Sequence, residues 1–126
     1  MKQHILVVDD EPPTRELLQA YFQKHHYEVT TASNAEEAVR LADGTPFDVV
    51  ILDVVLPDRD GLEVLQALKA VHPNLPIIIM TAIGVDEELL QEALQKGAAA
   101  YVSKTLKIEQ LLMEVHRTLK SKASRA

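Results

Sequence analysis

The sequence predicts an α/β fold, a doubly wound five-stranded parallel sheet with five helices on its two faces. Three observations predict it: five short runs, mostly rich in Val and Ile, amphipathic stretches between them, and start and stop residues where the periodicity changes. The runs are continuously apolar rather than alternating, as strands buried on both faces must be. Strands separated by helices need long, right-handed crossovers, so all the strands point the same way.

The first run is residues 5–8, followed at once by Asp9, Asp10 and Glu11, of which Asp10 or Glu11 is placed to cap a first helix. Residues 29–32 form the second. After it, Asn34 and Glu37 have the spacing of a capping box, Ala35, Ala38, Val39 and Ala42 repeat on one helix face, and Gly44 falls at the stop. The third and fourth runs are residues 49–52 and 77–80, with Asp86 set to cap the fourth helix and Gly97 to end it. Residues 99–102 make the fifth run. Ile108, Leu111, Leu112, Val115 and Leu119 then trace the buried stripe of a last helix.

A chain of 126 residues with 47% hydrophobic and 25% charged residues has the size and balance of one ordinary globular domain. The reading assigns residues 1–120 to that domain and 121–126, with Lys122 and Arg125, to a tail or the start of a linker. Cysteine is absent, which excludes disulfides, thiolate metal sites and thiol catalysis. A net charge of −6 disfavours direct contact with nucleic acid or anionic membrane. No stretch reads as a signal peptide or a membrane span, so the expected location is cytoplasmic.

In a parallel sheet the residues just past the strand ends gather on one rim, where such sheets bind ligands. Here they are Asp9 and Asp10, Asp53, Thr81 and Lys104. Each alone has an ordinary reading as a cap, a turn acid, a strand residue or a solvated charge. Together they do not, because three clustered carboxylates repel and call for protonation or a cation. Oxygen-only ligation beside a phosphate is the habit of Mg²⁺. A carboxylate flanked by a hydroxyl and a lysine is then suited to hold a phosphoryl group, giving an aspartyl phosphate.

The chain resembles the receiver domain of two-component response regulators (the CheY-like superfamily) over residues 3–119. The resemblance rests on Val7-Val8-Asp9-Asp10-Glu11, on Asp48 to Asp53 with Leu56-Pro57 and Asp60-Gly61, on Met80-Thr81-Ala82, and on Gly97-Ala98 leading to Tyr101 and Lys104. It implies a flavodoxin-like sheet of order 2-1-3-4-5. It implies further that Asp53 is the phosphoacceptor, that Asp9, Asp10, Asp53 and the backbone carbonyl of Val55 bind Mg²⁺, and that Thr81 and Lys104 contact the phosphoryl oxygens. Tyr101 resembles the aromatic switch that follows the threonine. The function so implied is phosphoryl acceptance from a sensor histidine kinase or a phosphotransfer protein. Output would pass to an effector protein or an output domain, and the chain would be an autocatalytic acceptor rather than an enzyme with turnover.

Two departures stand out. The family usually has proline after the lysine, with a cis bond, whereas Thr105 follows Lys104, and a cis bond before a non-proline residue costs about 2.5–4 kcal/mol. Arg59 stands where an apolar residue is common. Val55 and Ile83, which in the family flank the path of a hydrolytic water, are both apolar, so slow self-dephosphorylation is expected.

Rival readings fare worse. A haloacid-dehalogenase-like aspartyl-phosphate phosphatase places a second Asp two residues after its nucleophile, where this chain has Val55. A flavodoxin-like cofactor binder would want a Gly-rich phosphate loop, and the four glycines make none. A degenerate receiver would have lost rim residues that are all present. The five histidines form no chelating pattern; His25 and His26 are adjacent and diverge by roughly 100° on a helix. His116 reads as a helix-face residue.

Overall fold

The computed structural model describes residues 2–82 and 86–125. Strands and helices alternate throughout: β1 (His4–Val8), α1 (Pro12–Lys24), β2 (Glu28–Ala32), α2 (Ala35–Gly44), β3 (Val49–Asp53), α3 (Gly61–Val71), β4 (Ile77–Thr81), α4 (Glu87–Gln95), β5 (Ala100–Ser103) and α5 (Ile108–Arg125). The strands form one sheet in the order β2-β1-β3-β4-β5, every pairing parallel, as expected. Both faces are covered. Leu6, Val50, Leu52, Ile77 and Ile79 pack on one side with Leu65 and Leu68 of α3 and small residues of α2. Ile5, Val7, Val49, Ile51 and Ile78 pack on the other with Phe22 of α1 and Leu111 and Val115 of α5. Central β3 and β4 are buried at every residue, whereas edge strand β2 carries Thr30 and Thr31 half exposed.

The Asn34 cap is present with a one-residue variation. Asn34 Oδ1 accepts the Glu37 N–H, but the Glu37 carboxylate accepts from Ser33 rather than from Asn34. Asp58, from the loop after β3, takes the two remaining amides, accepting from Ala35 at 2.9 Å and Glu36 at 3.1 Å. These two N–H bonds outweigh its slight burial and hold its carboxyl below the ordinary value. At α1 the capping expectation is corrected. Glu11 occupies the cap position but makes no side-chain cap bond, because Pro12 and Pro13 at the helix start have no N–H to satisfy.

Helices α1 and α4 end in the same motif. Gly97, at φ +101°, lets its own N–H reach the Leu94 carbonyl and that of Ala98 reach the Ala93 carbonyl. After α1, His26 sits at φ +72°, donating to Gln23, while Tyr27 donates to Phe22 and packs its ring against the Phe22 ring at 5.9 Å. A side chain in this left-handed region costs about 1–2 kcal/mol, part of which glycine recovers. His26→Gly should therefore raise the melting temperature by a few degrees. An unchanged or lowered value would show that the His26 side chain offsets its own strain.

Candidate functional site

In this strand order β1 has β2 on one side and β3 on the other, so a crevice opens where the crossovers diverge, at the carboxyl ends of β1 and β3. The sequence puts acids at both lips. Asp9 is wholly buried, with its N–H on the Ala32 carbonyl and its own carbonyl accepting from the Arg15 guanidinium at 2.7 Å. Asp10 and Glu11 are exposed. Asp53 ends β3, 4% exposed, with Oδ1 accepting the Val55 N–H at 3.2 Å. Thr81, 1% exposed, ends neighbouring β4, and its carbonyl accepts the Lys104 N–H at 2.7 Å.

Lys104 closes the arrangement. Its Nζ lies 2.8 Å from Asp9 Oδ2, from Glu11 Oε1 and from Asp53 Oδ2. Burial alone would lower its pKa, but the bonds to Asp53, Asp9 and Glu11 prevail and push it up. The same ammonium holds the Glu11 carboxyl below its usual value. Asp53 goes the other way: burial raises its pKa and prevails over the opposing pull of Lys104 and the Val55 amide.

One ammonium cannot balance this site. Oxygens of Asp9, Asp10, Glu11 and Asp53 all lie within 4.8 Å of one another. Asp9 Oδ2 is buried and has the Lys104 ammonium at 2.8 Å as its ion-pair partner. An oxygen-only cluster of four carboxylates around one ammonium, two of them exposed, fits a small, hard, partly hydrated dication, as expected for Mg²⁺.

The loop after Asp53 is shaped by Gly61. A Cβ there would lie 2.4 Å from the Asp53 carbonyl oxygen and 2.6 Å from the Val54 backbone, so no side chain fits. Its N–H instead reaches the Val54 carbonyl, while Asp60 caps α3 by accepting from Leu62. Val55 stands out from this turn, 60% exposed, beside the Asp53 carboxylate. Beyond β5, no described peptide bond is cis. The Lys104-Thr105 step is trans, and the Thr105 N–H, which proline would lack, donates to Ser103 Oγ at 3.2 Å. Tyr101 is half buried against the core, its hydroxyl without a hydrogen-bond partner among the described residues. Ile83 lies outside the described residues.

The family model for the response regulator receiver domain matches residues 5–116. The chain belongs to this family. The receiver domain protein (CheY-like) from Methanospirillum hungatei superposes with a TM-score of 0.95 at 25% identity, each chain covering the whole of the other. NtrX from Brucella abortus gives a TM-score of 0.92 at 30% identity over 99% of this chain and 28% of its own. Among curated relatives, the probable transcriptional regulatory protein TcrX of Mycobacterium tuberculosis is 35% identical over 92% of this chain and 49% of its own length. This receiver domain thus spans about half the length of the curated relatives it matches. No described helix is long and apolar enough to cross a membrane.

Of the five rim residues predicted from sequence, the side chains of Asp9, Asp10, Asp53 and Lys104 come together, and Thr81 ends the neighbouring strand with its carbonyl on the Lys104 N–H. Glu11 and Arg15 also belong to the site, and sequence reasoning does not place them there. Glu11 directly follows the acidic pair, a legible signal for a third acid of the cluster; Arg15 acts through the Asp9 carbonyl and leaves no pattern.

Proposed function

We propose that this receiver domain is a phosphoryl-accepting switch whose acceptor is Asp53. The observation that carries the reading is the Asp53 carboxylate, buried at the central strand exit with Oδ2 on the Lys104 ammonium and three further acids around it. An Asp53 oxygen attacks phosphorus in line. The bond from phosphorus to the donor breaks, and the leaving group, the imidazole of a phosphohistidine, keeps the electron pair. Asp9, Asp10 and Asp53, with the Val55 carbonyl, would hold Mg²⁺, which when bound neutralises charge on the transferring phosphoryl oxygens.

Lys104 then leaves the acids for a phosphoryl oxygen, and Thr81 donates its hydroxyl to another. Tyr101, whose buried hydroxyl has no hydrogen-bond partner among the described residues, follows the vacated space beside Thr81 and alters the surface of α4, β5 and α5. Donors would be a sensor histidine kinase or a phosphotransfer protein. The relatives named as transcriptional regulators support an output domain or effector that controls transcription, so a nucleic-acid target would be reached through that partner. The test is the intact mass after incubation with acetyl phosphate and Mg²⁺, which should rise by one phosphoryl group per chain. No rise would overturn the reading.

Because the cation binds the native cluster and not the unfolded chain, millimolar Mg²⁺ should raise the melting temperature by several degrees. Asp10→Ala should abolish the shift. An equal shift in the variant would place the cation elsewhere.

A further inference from the structure

We infer that Glu11 is a positioning residue and charge gate for phosphoryl loading, holding Lys104 back in the unloaded protein and selecting against highly charged small donors. The inference rests on the reading of Asp53 as acceptor and adds a residue to it. Glu11 Oε1 takes a hydrogen bond of 2.8 Å from Lys104 Nζ across 93 positions of sequence. The same Nζ serves Asp53 at 2.8 Å, so one ammonium bridges the two carboxylates.

Their placement differs. The Asp53 side chain is 6% exposed and that of Lys104 is 14%, whereas Glu11 is 59% exposed. Glu11 therefore stands at the mouth and Asp53 at the floor. Its backbone holds it there, because the Glu11 N–H donates to Asp9 Oδ1 at 2.8 Å and α1 begins at the next residue.

A donor entering this mouth brings a negative phosphoryl group past the Glu11 carboxylate. After transfer, Lys104 must release at least one acid to reach the new phosphoryl oxygens. Glu11 is the acid it can release at least cost, since water can solvate an exposed carboxylate and cannot reach the Asp9 oxygen. Glu11 thus opposes loading twice, by repelling the donor and by occupying the lysine. Removing its charge while keeping its shape should speed loading.

The experiment follows loading of wild type, Glu11→Gln, Glu11→Asp and Asp53→Asn by intact mass at saturating Mg²⁺. The donors are acetyl phosphate, a dianion at neutral pH, and phosphoramidate, a monoanion there. In the first, the bond from phosphorus to oxygen breaks and acetate leaves with the pair; in the second, the bond from phosphorus to nitrogen breaks and ammonia leaves, keeping the pair and its protons. At low ionic strength Glu11→Gln should load about 3- to 10-fold faster from acetyl phosphate and less than that from phosphoramidate. Roughly 0.5 M salt should shrink both gains, and Glu11→Asp should behave like wild type. Equal rates in wild type and Glu11→Gln would overturn the inference. So would equal gains for both donors, or a gain indifferent to salt, because either would mean that Glu11 acts through packing. Failure of wild type itself to load would instead overturn the assignment of Asp53.

Discussion

Asp53→Asn is expected to lose phosphoryl uptake completely and, in Mg²⁺-free buffer, to melt a few degrees above wild type. The first effect follows from chemistry, since an amide oxygen is a poor nucleophile and no other described carboxylate sits at the central strand exit with Lys104 on one oxygen and a backbone amide on the other. The second follows from electrostatics. Burial raises the Asp53 pKa above its unfolded value, so between those two values the native state binds more protons than the unfolded chain. Stability from this group is therefore greatest at low pH, falls as pH rises from the unfolded to the folded pKa, and stays low at neutrality. Asparagine carries no such penalty. The gap between variant and wild type should be widest near pH 7 and close as pH falls toward about 4, where the acid is protonated in both states. A variant phosphorylated at the wild-type level, or one less stable than wild type at neutral pH, would refute the corresponding half. The carboxylate proposed as phosphoacceptor is thus expected to weaken the fold that holds it.

The sheet was legible because burial and pairing act on backbone and apolar side chains together. Five short runs, mostly rich in Val and Ile, marked all five strands to within a residue at each end. Two of the differences share a cause. Strands β3 and β4 extend one residue further, into Asp53 and Thr81, because the ladder continues wherever the backbone can pair, whatever the side chain's polarity. That extra residue matters to the proposed function, since it fixes Asp53 and the hydroxyl-bearing Thr81 on rigid strands and not on a loop. Which residues reach the rim was likewise readable from strand direction. What each side chain touches there was not. Lys104 could be placed on the rim by counting, but its choice of Glu11 as well as Asp9 and Asp53 depends on distances across three elements. Asp58 illustrates the same limit. Its local setting, after Pro57, reads as a turn acid, and only the approach of α2 from another crossover makes it the cap of Ala35 and Glu36.

The lifetime of the phosphorylated state should be long, and Val55→Asn and Ile83→Glu should shorten it. Hydrolysis returns Asp53 to its carboxylate when water attacks phosphorus opposite the bond to the aspartyl oxygen, which leaves with the electron pair. A side chain that orients this water accelerates the step; one that merely occupies the approach slows it. Val55 is at the right place to do the latter. Its N–H is bonded to Asp53 Oδ1, and its side chain stands exposed from a turn pinned by the Gly61 N–H on the Val54 carbonyl. An isopropyl group so held offers water no hydrogen bond. Asparagine there would present an amide at the mouth without altering the backbone, which the Asp53 and Asp60 contacts already hold. The expected gain in decay rate is on the order of tenfold, below the roughly 10²–10⁴-fold of a general acid or base, because an amide orients water without taking its proton. Ile83→Glu tests the second flank independently, at the position that the family resemblance implies. Decay is followed by intact mass after removal of the donor, with Mg²⁺ held constant and each variant first shown to load to the wild-type extent. Rapid decay of wild type would remove the premise, and unchanged decay in both variants would show that water reaches phosphorus by a path neither side chain guards.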